Sequence, residues 1–219
     1  RRALAQVVRS RLAAHERPTK PSRIRKAHQG GEGFRARQGS ELELFAAFQD
    51  QGRPGRGNLG VTPSGAADQA AAATANVAVG NPRGATVLEN IGGIRLRALT
   101  DAVMCVTGAQ SRVLLDDMPV ALARPVLVTA GSTVTVQPAT VGLRNYIAIR
   151  GGIVADAELG SASTDVLSGL GPQPVRLGDV IGVLPRSTAM TDGQLANPLR
   201  VSQGRQGQTH PWEQPQGSV

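Results

Sequence analysis

A glycine-rich stretch decides the fold, and it reads Gln49-Asp50-Gln51-Gly52-Arg53-Pro54-Gly55, then Gly60-Val61-Thr62-Pro63-Ser64-Gly65-Ala66-Ala67-Asp68. Five glycines and two prolines fall between residues 52 and 65. Glycine adopts backbone angles that other residues resist and proline fixes φ, so this composition predicts a loop of defined shape. Its polar groups include Asp50, Arg53, Ser64 and Asp68. Because binding residues often sit on loops that a rigid scaffold positions, this loop is the first candidate for a functional site.

The residues after the loop predict one α-helix over positions 66–79, where more than half of the residues are alanine. Ser64 or Gly65 is placed to cap its start, and Gly80-Asn81-Pro82 is a typical helix stop. Asp68 in the first turn would interact favourably with the helix dipole. A ligand-facing role for its carboxylate is equally open.

From residue 86 onward the pattern changes to short β-branched runs separated by Gly, Pro or Asp-rich turns. These runs cover residues 86–88, 94–99, 102–106, 112–115, 126–128, 133–136 and 146–149. Their regular spacing predicts an antiparallel barrel or sandwich. Arg95 and Arg97 alternate with apolar residues, which indicates one solvated strand face.

The charge of the chain is concentrated at one end. The net charge of +8 and the pI of about 11.2 are typical of a nucleic-acid-binding protein. However, residues 1–40 hold eleven lysines and arginines against two acids, and the remaining 179 residues are close to neutral. We therefore interpret 1–40 as a basic, unstructured segment, with nucleic-acid binding or an anionic-membrane tether as the functional alternatives.

The absence of two residue types limits the chemistry of the body of the chain. Both lysines lie before residue 40, and the three histidines are His15, His28 and His210. A Walker-type phosphate lysine, a Schiff-base lysine, a Ser-His-Asp triad and a histidine metal site are thus excluded between residues 41 and 209. Carboxylates, arginines, hydroxyls and loop amides remain, and these suit holding and polarising an amide, a carboxylate or a phosphate.

The single cysteine and the hydropathy of the chain bear on its compartment. Cys105 lies in an apolar run and is interpreted as a buried strand residue, since free cysteine packs as a small hydrophobe. A lone cysteine makes no internal disulfide, which fits a reducing compartment. No apolar run approaches the roughly 20 residues needed to span a bilayer, and the N-terminus lacks the apolar core of a secretion signal. We expect a soluble, cytoplasmic protein without a membrane partner.

Several ordered motifs carry a resemblance to a known family. They are Q-D-x-G-R-P-G from Gln49, G-V-x-P-S-G-A-x-D from Gly60, A-N-x-x-V-G-N from Ala75 and L-E-x-x-x-G from Leu88, followed by Val106-Thr107-Gly108-Ala109, Tyr146-Ile147-Ala148-Ile149-Arg150-Gly151-Gly152, Gly160-Ser161-Ala162-Ser163-Thr164-Asp165 and Leu177-Gly178-Asp179. Together they resemble the family of allophanate hydrolase subunit 2, KipA and the C-type subunit of 5-oxoprolinase, which carries a biotin-dependent carboxyltransferase-like domain. The resemblance covers about 130 residues.

The resemblance implies a mainly β fold, namely a cyclophilin-like antiparallel β-barrel with one helix at its side. It also implies the domain limits: a barrel domain over residues 41–202, between the basic segment 1–40 and a polar tail at 203–219. Family members usually continue for about another hundred residues, so we expect a partial barrel in a C-terminally truncated member. The lead-in strand at 42–48 is shorter than usual, which puts the first strand in doubt.

Two departures from the family pattern affect the expected site. Ala162 stands where relatives have an arginine, and Arg56 stands where an aromatic residue is usual. An arginine at position 162 could supply a fork of donors to a carboxylate or phosphate, whereas alanine supplies none. If that arginine matters in relatives, this chain has lost it.

The candidate site follows from these motifs and the available groups. Gln49, Asp50, Arg53, Ser64, Ser163 and Thr164 are the candidate substrate-binding residues, and Asp68 and Glu89 are the candidate acid/base groups. Arg53 would orient an anionic substrate group, or it would tie loop carbonyls together as a structural fork. Glu89 could equally be a strand-end residue that satisfies backbone amides. No metal ligands are expected.

The resemblance also implies partners and cofactors. The expected function is that of a subunit in an ATP-dependent amide or lactam hydrolase, of 5-oxoprolinase or allophanate hydrolase type, with a KipI-like partner and a LamB-like subunit as a further one. ATP would bind to the complex or to this chain. One alternative is a non-catalytic module that binds a KipI-like kinase inhibitor. Another is the carboxyltransferase half-domain of a urea carboxylase, which alone would involve biotin.

Overall fold

The computed structural model describes residues 33–37 and 45–184. Within them it has eleven β-strands, one α-helix and a short 3-10 helix at Gly57–Leu59. The strands are β1 Gly33–Arg37, β2 Phe45–Gln49, β3 Val87–Ile91, β4 Ile94–Ala98, β5 Ala102–Gln110, β6 Val113–Leu115, β7 Met118–Val120, β8 Val126–Val128, β9 Thr133–Val136, β10 Val141–Ile149 and β11 Val180–Gly182. The helix, α1, is Gln69–Val79.

The strands form two antiparallel sheets. One has six strands in the order β11-β1-β4-β9-β6-β7, and the other has five in the order β2-β3-β10-β5-β8. Side chains from both sheets meet in one core, which includes Phe34 and Leu96 from the first and Phe48, Leu88 and Ile147 from the second. The predicted mainly β, antiparallel fold with one helix is confirmed. In the described residues the strands make two sheets that share a core, not a single closed barrel.

Strand β4 shows how the sequence pattern produces this packing. Ile94, Leu96 and Ala98 are buried, while Arg95 and Arg97 between them are exposed, as the predicted alternation requires. Burying a side chain such as Leu96 contributes roughly 1.5–3 kcal/mol, which holds the buried face of the strand against the core.

Helix α1 packs on the outer face of the five-stranded sheet. Its residues Ala75 and Val79 lie in a second cluster with Cys105, Tyr146 and Ala148. Small alanine side chains allow the helix to approach the sheet closely. Cys105 is fully buried, as expected, and burial raises the pKa of its thiol to about 11.

The helix begins later than predicted. Its N-cap is Asp68, which has extended backbone angles and accepts a hydrogen bond from Ala71 N. Ser64 and Gly65 have φ of 55° and 93°, which places them in the left-handed region and outside the helix, so the cap predicted there is wrong. The helix ends at Val79, before Gly80 with φ of 81°, as the Gly80-Asn81-Pro82 stop predicts.

Three strands were not predicted, and one doubtful strand is present. Strand β2, questioned for its short lead-in, pairs with β3 along its whole length. Residues 33–37 were expected to be unstructured as part of segment 1–40, but they form strand β1. Pairing with β4 and β11 stabilises this strand. Strands β7 and β11 were also missed. The rest of segment 1–40 and the tail 203–219 lie outside the described residues.

No helix in the described part of the chain is long and apolar enough to cross a membrane.

Candidate functional site

The glycine-rich loop of residues 50–68 is held against a second loop, residues 156–171, by the half-buried carboxylate of Asp50. Asp50 Oδ1 accepts hydrogen bonds from Ser161 Oγ and Ser163 Oγ, both at 2.6 Å, and from Gly52 N at 2.7 Å. Its Oδ2 accepts from Ala162 N at 2.7 Å. Burial raises the pKa of Asp50, but these four donors outweigh it and hold the pKa below its usual value. Asp50 is therefore an ionised group that joins the two loops.

Arg53 makes the second connection between the loops, and its side chain is only 2% exposed. Nε donates to the carbonyl of Glu158 at 3.2 Å, and Nη2 donates to the carbonyls of Ser161 at 3.2 Å and Ser163 at 2.6 Å. Nη1 donates to Ser64 Oγ at 3.0 Å. Burial lowers the pKa of Arg53, and the nearby carboxylates oppose this shift. Of the two roles considered for Arg53, the geometry is that of a structural fork that binds loop carbonyls.

A third connection involves Asp165, which is not among the site residues predicted from the motifs. Its Oδ2 accepts hydrogen bonds from Thr62 Oγ1 at 2.7 Å and from Ser64 Oγ at 3.1 Å. Its Oδ1 accepts from the amide of Ser168 at 3.0 Å. Burial raises the pKa of Asp165, but hydrogen bonds from Ser168, Thr62 and Ser64 lower it overall to about 2. Ser64 thus connects Arg53 to Asp165 and belongs to the framework of the loops.

Strand β2 leads into this framework through Gln49 and its neighbour. Thr164 N donates to Phe48 O at 2.7 Å, and Phe48 N donates to Thr164 Oγ1 at 3.1 Å. Gln49 Nε2 donates to Thr164 O at 3.2 Å. The other end of the same amide, Gln49 Oε1, is buried and has no hydrogen-bond partner. Gln49 is therefore the predicted binding residue that has an unused acceptor.

Asp68 and Glu89 each accept a hydrogen bond from a backbone amide near the start of α1, Asp68 from Ala71 N and Glu89 from Ala67 N. Glu89 Oε2 accepts from Ala67 N at 2.9 Å, and its Oε1 accepts from Arg144 Nε at 3.1 Å. Tyr146 Oη accepts from Asp68 N at 2.7 Å. Burial is the largest of the effects that raise the pKa of Tyr146 to about 12, and the charges of Glu89 and Asp68 add to it. Both candidate acid/base groups thus have structural roles. Asp68 caps helix α1, and Glu89 binds the backbone of the loop that precedes the helix.

A hollow of about 190 Å³ lies beside α1, at the end of β2. We call it the helix hollow, and its polar lining residues are Gln49, Asp50, Gln51, Gln69 and Arg83. Alanines of the helix, including Ala70 and Ala73, form its apolar side. Neither Arg53, a candidate substrate-binding residue, nor Asp68, a candidate acid/base group, lines the helix hollow. Gln49 and Asp50 are the predicted residues that do line it.

A second hollow, of about 680 Å³, lies against the six-stranded sheet. Its charged lining residues are Arg35, Arg95, Asp116 and Asp117, so the two signs balance. None of the predicted site residues lies among them.

The A-N-x-x-V-G-N motif has a structural role. Asn76 Nδ2 donates to Ala85 O at 2.7 Å, and Asn81 Nδ2 donates to Ile149 O at 2.8 Å. Asn81 Oδ1 accepts from Gly151 N at 3.0 Å. These bonds fix the turn after α1 to the end of β10, and they set the position of Arg83, which this turn carries.

The structure brings some predicted residues together and separates others. Asp50, Arg53, Ser64, Ser163 and Thr164 all lie in the interface between the two loops. Ala162, in the place of the family's arginine, is 6% exposed and contributes its amide to Asp50. Ser161 and Asp165 were missed, although the G-S-x-S-T-D motif contains both. Gln51 and Arg83 of the helix hollow were also missed, and no local pattern marks them.

Within the described residues, no group of three or more His, Cys, Asp and Glu side chains is arranged to hold a metal ion.

Comparison with known proteins places this geometry in a family. Residues 59–217 match the family model of the carboxyltransferase domain, subdomain A and B. The chain is 35% identical over 132 residues to the C-type subunit of 5-oxoprolinase from Haemophilus influenzae, and 35% identical over 135 residues to its counterpart from Escherichia coli. These matches cover 60% and 61% of this chain, and 43% and 44% of the two relatives. The chain thus spans less than half the length of the curated relatives it matches.

A solved structure supports the same assignment. The structure of the K. lactis urea amidolyase is similar to 71% of this chain, with a TM-score of 0.66 and 32% sequence identity, and the match covers 10% of that protein. The family resemblance inferred from the motifs is therefore confirmed, and the chain belongs to the carboxyltransferase domain family, subdomain A and B.

Proposed function

We propose that this chain acts as a subunit of an ATP-dependent lactam hydrolase of the 5-oxoprolinase type, together with a KipI-like partner. The similarity to the two bacterial 5-oxoprolinase subunits carries this proposal. The chemistry of the site supports it, because buried hydrogen-bonding groups on loops that are joined at many points suit the binding and orientation of an amide. A LamB-like protein would be a further subunit, and the complex would act in the cytoplasm.

The proposed roles of the residues follow from their contacts. Gln49 contacts the substrate from the end of β2, because it is one of the polar residues that line the helix hollow. Asp50, Arg53, Ser64, Ser163 and Thr164 position Gln49 and the loops around it. Asp68 is the acid/base candidate with an exposed side chain, whereas Glu89 is 5% exposed and bonded to Arg144 and Ala67.

ATP would supply the activation of the amide oxygen in this proposal. The helix hollow of about 190 Å³ is smaller than the roughly 300 Å³ at the lower end of pockets for drug-sized ligands, so it does not fit a nucleotide. We therefore assign ATP to a place outside the helix hollow, on this chain or on another part of the complex. The role of this chain is to bind and orient the small substrate.

The test is reconstitution of the full chain with its KipI-like and LamB-like partners. We expect release of glutamate from 5-oxoproline that requires ATP and all subunits. A complex that assembles but produces no glutamate with ATP would contradict the proposal. A complex without this chain is the control for background hydrolysis.

A second candidate is the carboxyltransferase half-domain of a urea carboxylase. The structural similarity to the K. lactis urea amidolyase favours it. Biotin would then be the carrier of the carboxyl group, and the assay is carboxylation of urea by carboxybiotin in the presence of the chain. Turnover of urea without turnover of 5-oxoproline would select this candidate.

A third candidate is a regulatory module that binds a KipI-like kinase inhibitor without catalysis. The structural duties of Asp68 and Glu89 favour it, since both candidate acid/base groups stabilise the fold at the start of α1. A pull-down with the KipI-like protein, followed by the glutamate assay, separates this candidate from the first. Binding without turnover would select the module.

A further inference from the structure

The outer face of the six-stranded sheet carries arginines that lie directly opposite one another. Arg35 of β1 is paired with Arg97 of β4, and Arg37 is paired with Arg95. Like charges at directly opposite positions of two strands are unfavourable. Arg35, Arg95 and Arg97 are exposed, and none of them has a carboxylate within 4.0 Å in the described part of the chain. This face therefore holds positive charge that nothing in the described residues compensates.

The same face has a negative end, at the hairpin that joins β6 and β7. Asp116 and Asp117 form its two-residue turn, with φ of 46° and 67°. Both line the hollow of about 680 Å³ together with Arg35 and Arg95. Asp116 Oδ1 accepts from Thr133 N at 2.7 Å, whereas Asp117 makes no hydrogen bond or ion pair with the described residues. The turn does not need a carboxylate at position 117, because asparagine or glycine adopts these angles as readily.

The positive and negative positions lie in one row across the sheet. Arg35 is opposite Arg97, and Arg97 is opposite Thr133 of β9. On the far side of Thr133, Asp116 N donates to the Thr133 carbonyl at 2.9 Å. Because neighbouring strands are about 4.8 Å apart, β4 and β1 lie about one and two strand spacings to one side of β9, and β6 and β7 lie equally far to the other. The row thus places the two signs on either side of β9.

Such a row is complementary to a second copy of itself. A two-fold axis parallel to β9 and above its outer face exchanges the two sides of the row and keeps each residue at its level along the strands. It sets β6 of one copy over β4 of the other, and β7 over β1. Asp116 then faces the partner's Arg97, and Asp117 faces the partner's Arg35. An isologous interface of this kind makes each of these contacts twice.

Exposed apolar residues at the two edges of the sheet fit the same arrangement. Leu177 is 59% exposed and lines the hollow on the side of β1. Pro119 of β7 is exposed and shares the outer face, since it is opposite Leu114, which is opposite Thr135. The two-fold axis sets β7 over β1, so that Pro119 would lie close to the partner's Leu177. Burial of this apolar surface would add stabilisation that does not depend on charge.

We infer that the outer face of the six-stranded sheet binds a second copy of this chain, in a two-fold dimer in which Asp116 and Asp117 pair with the partner's Arg97 and Arg35. The inference goes beyond the proposed function and does not depend on it. The helix hollow lies beside α1, on the outer face of the other sheet, and stays open in this dimer.

The test is sedimentation equilibrium of the full chain. Exposed ion pairs contribute little each, so we expect a dissociation constant on the order of 10–100 µM. The mass should rise from that of the 22.7 kDa monomer at about 5 µM towards twice this value at about 500 µM. A buffer of about 150 mM salt screens the long-range repulsion between two positively charged chains but acts less on pairs in contact.

Charge reversals locate the interface. Arg35→Glu and Asp117→Lys each bring like charges into contact, and each should weaken the dimer at least about tenfold. An equal mixture of the two variants should restore it, because their reversed charges match. Arg83→Glu, beside α1 on the opposite side of the molecule, is the matched control and should associate like the wild type.

Two measurements separate a lost interface from a damaged fold. Arg35→Glu places opposite charges at paired positions of β1 and β4, so thermal unfolding should show no loss of stability. Asp117→Asn removes the charge with a residue that suits the turn, and it should also weaken the dimer, though less than Asp117→Lys.

Three results would overturn the inference. The first is a wild-type chain that stays monomeric up to about 500 µM. The second is undiminished association of the folded Arg35→Glu and Asp117→Lys variants. The third is a mixture of these variants that associates no better than either alone. A monomeric chain that binds poly-glutamate, and loses this binding in Arg35→Glu, would instead assign the face to an acidic segment of another protein.

Discussion

Replacing Arg53 with methionine tests whether the two loops are held together by this buried side chain. Methionine keeps an unbranched apolar stem but removes all hydrogen-bond donors. The guanidinium donates to three backbone carbonyls, those of Glu158, Ser161 and Ser163, and to Ser64 Oγ. All of these partners belong to the interface between the loops.

The size of the effect follows from the number of acceptors that lose their donor. Each buried acceptor left unpaired is unfavourable by about 1–3 kcal/mol, and removing one member of a buried charged network typically lowers the stability by about 3–5 kcal/mol. We expect the free energy of unfolding to fall by about 3–5 kcal/mol in Arg53→Met. Since small domains have about 5–15 kcal/mol in total, the variant would be close to its limit of stability.

The assay is urea unfolding of the full chain followed by circular dichroism. Arg97→Met is the matched control, because Arg97 is exposed on β4 and its loss should change the free energy of unfolding by no more than about 0.5 kcal/mol. Arg53→Lys should fall between the two, since lysine keeps the charge but not the planar fork. An Arg53→Met variant as stable as the control would refute the structural role of this fork.

Three further predictions concern the same loops and the helix start. The pKa of Asp165 is lowered from 3.8 to about 2, so its ionised form contributes about 2 kcal/mol of stability above pH 4. This contribution is lost as the pH falls from about 4 to about 2, so the free energy of unfolding of Asp165→Asn should depend less on pH across this range. The same pH profile in Asp165→Asn and the wild type would contradict the assignment. Gly52 has φ of 82° and a Cβ there would collide with Pro63 O, whereas Gly55 has φ of 77° and open space around it. Gly52→Ala should therefore lower the melting temperature clearly more than Gly55→Ala, whose backbone angle alone lowers the stability by about 1–2 kcal/mol. Equal decreases in melting temperature would argue against the close approach of Gly52 to Pro63. Asp68→Ala should lower the free energy of unfolding by about 1 kcal/mol through loss of the helix cap, while Asp68→Asn keeps most of it; equal stability of Asp68→Ala and the wild type would show that the cap is dispensable.

The sequence predicted those parts of the fold that depend on local pattern. The alternation in β4 and the stop of α1 at Gly80 are both properties of a few consecutive residues. The start of α1 was misplaced because Ser64 and Gly65 adopt left-handed angles, and residue preferences alone do not reveal that. Strand β1 was missed because it is stabilised by pairing with β4 and β11, far away in the sequence.

The sequence predicted which residues belong to the candidate site better than it predicted their roles. The motifs located Asp50, Arg53 and Ser163, but the partners of Arg53 in the second loop are 105 to 110 positions away along the chain. No local pattern shows whether an arginine will bind a ligand or backbone carbonyls at such a distance. Arg83 was not predicted at all, because only the turn fixed by Asn76 and Asn81 brings it to the helix hollow.

The most direct test of the account is to observe the Gln49 side-chain amide by NMR in the isotope-labelled full chain during titration with 5-oxoproline. We predict a saturable shift of the Gln49 Nε2 protons, because Gln49 lines the helix hollow, which is the proposed binding site of the substrate. Saturable binding of 5-oxoproline that leaves the Gln49 resonances unchanged would contradict this proposal.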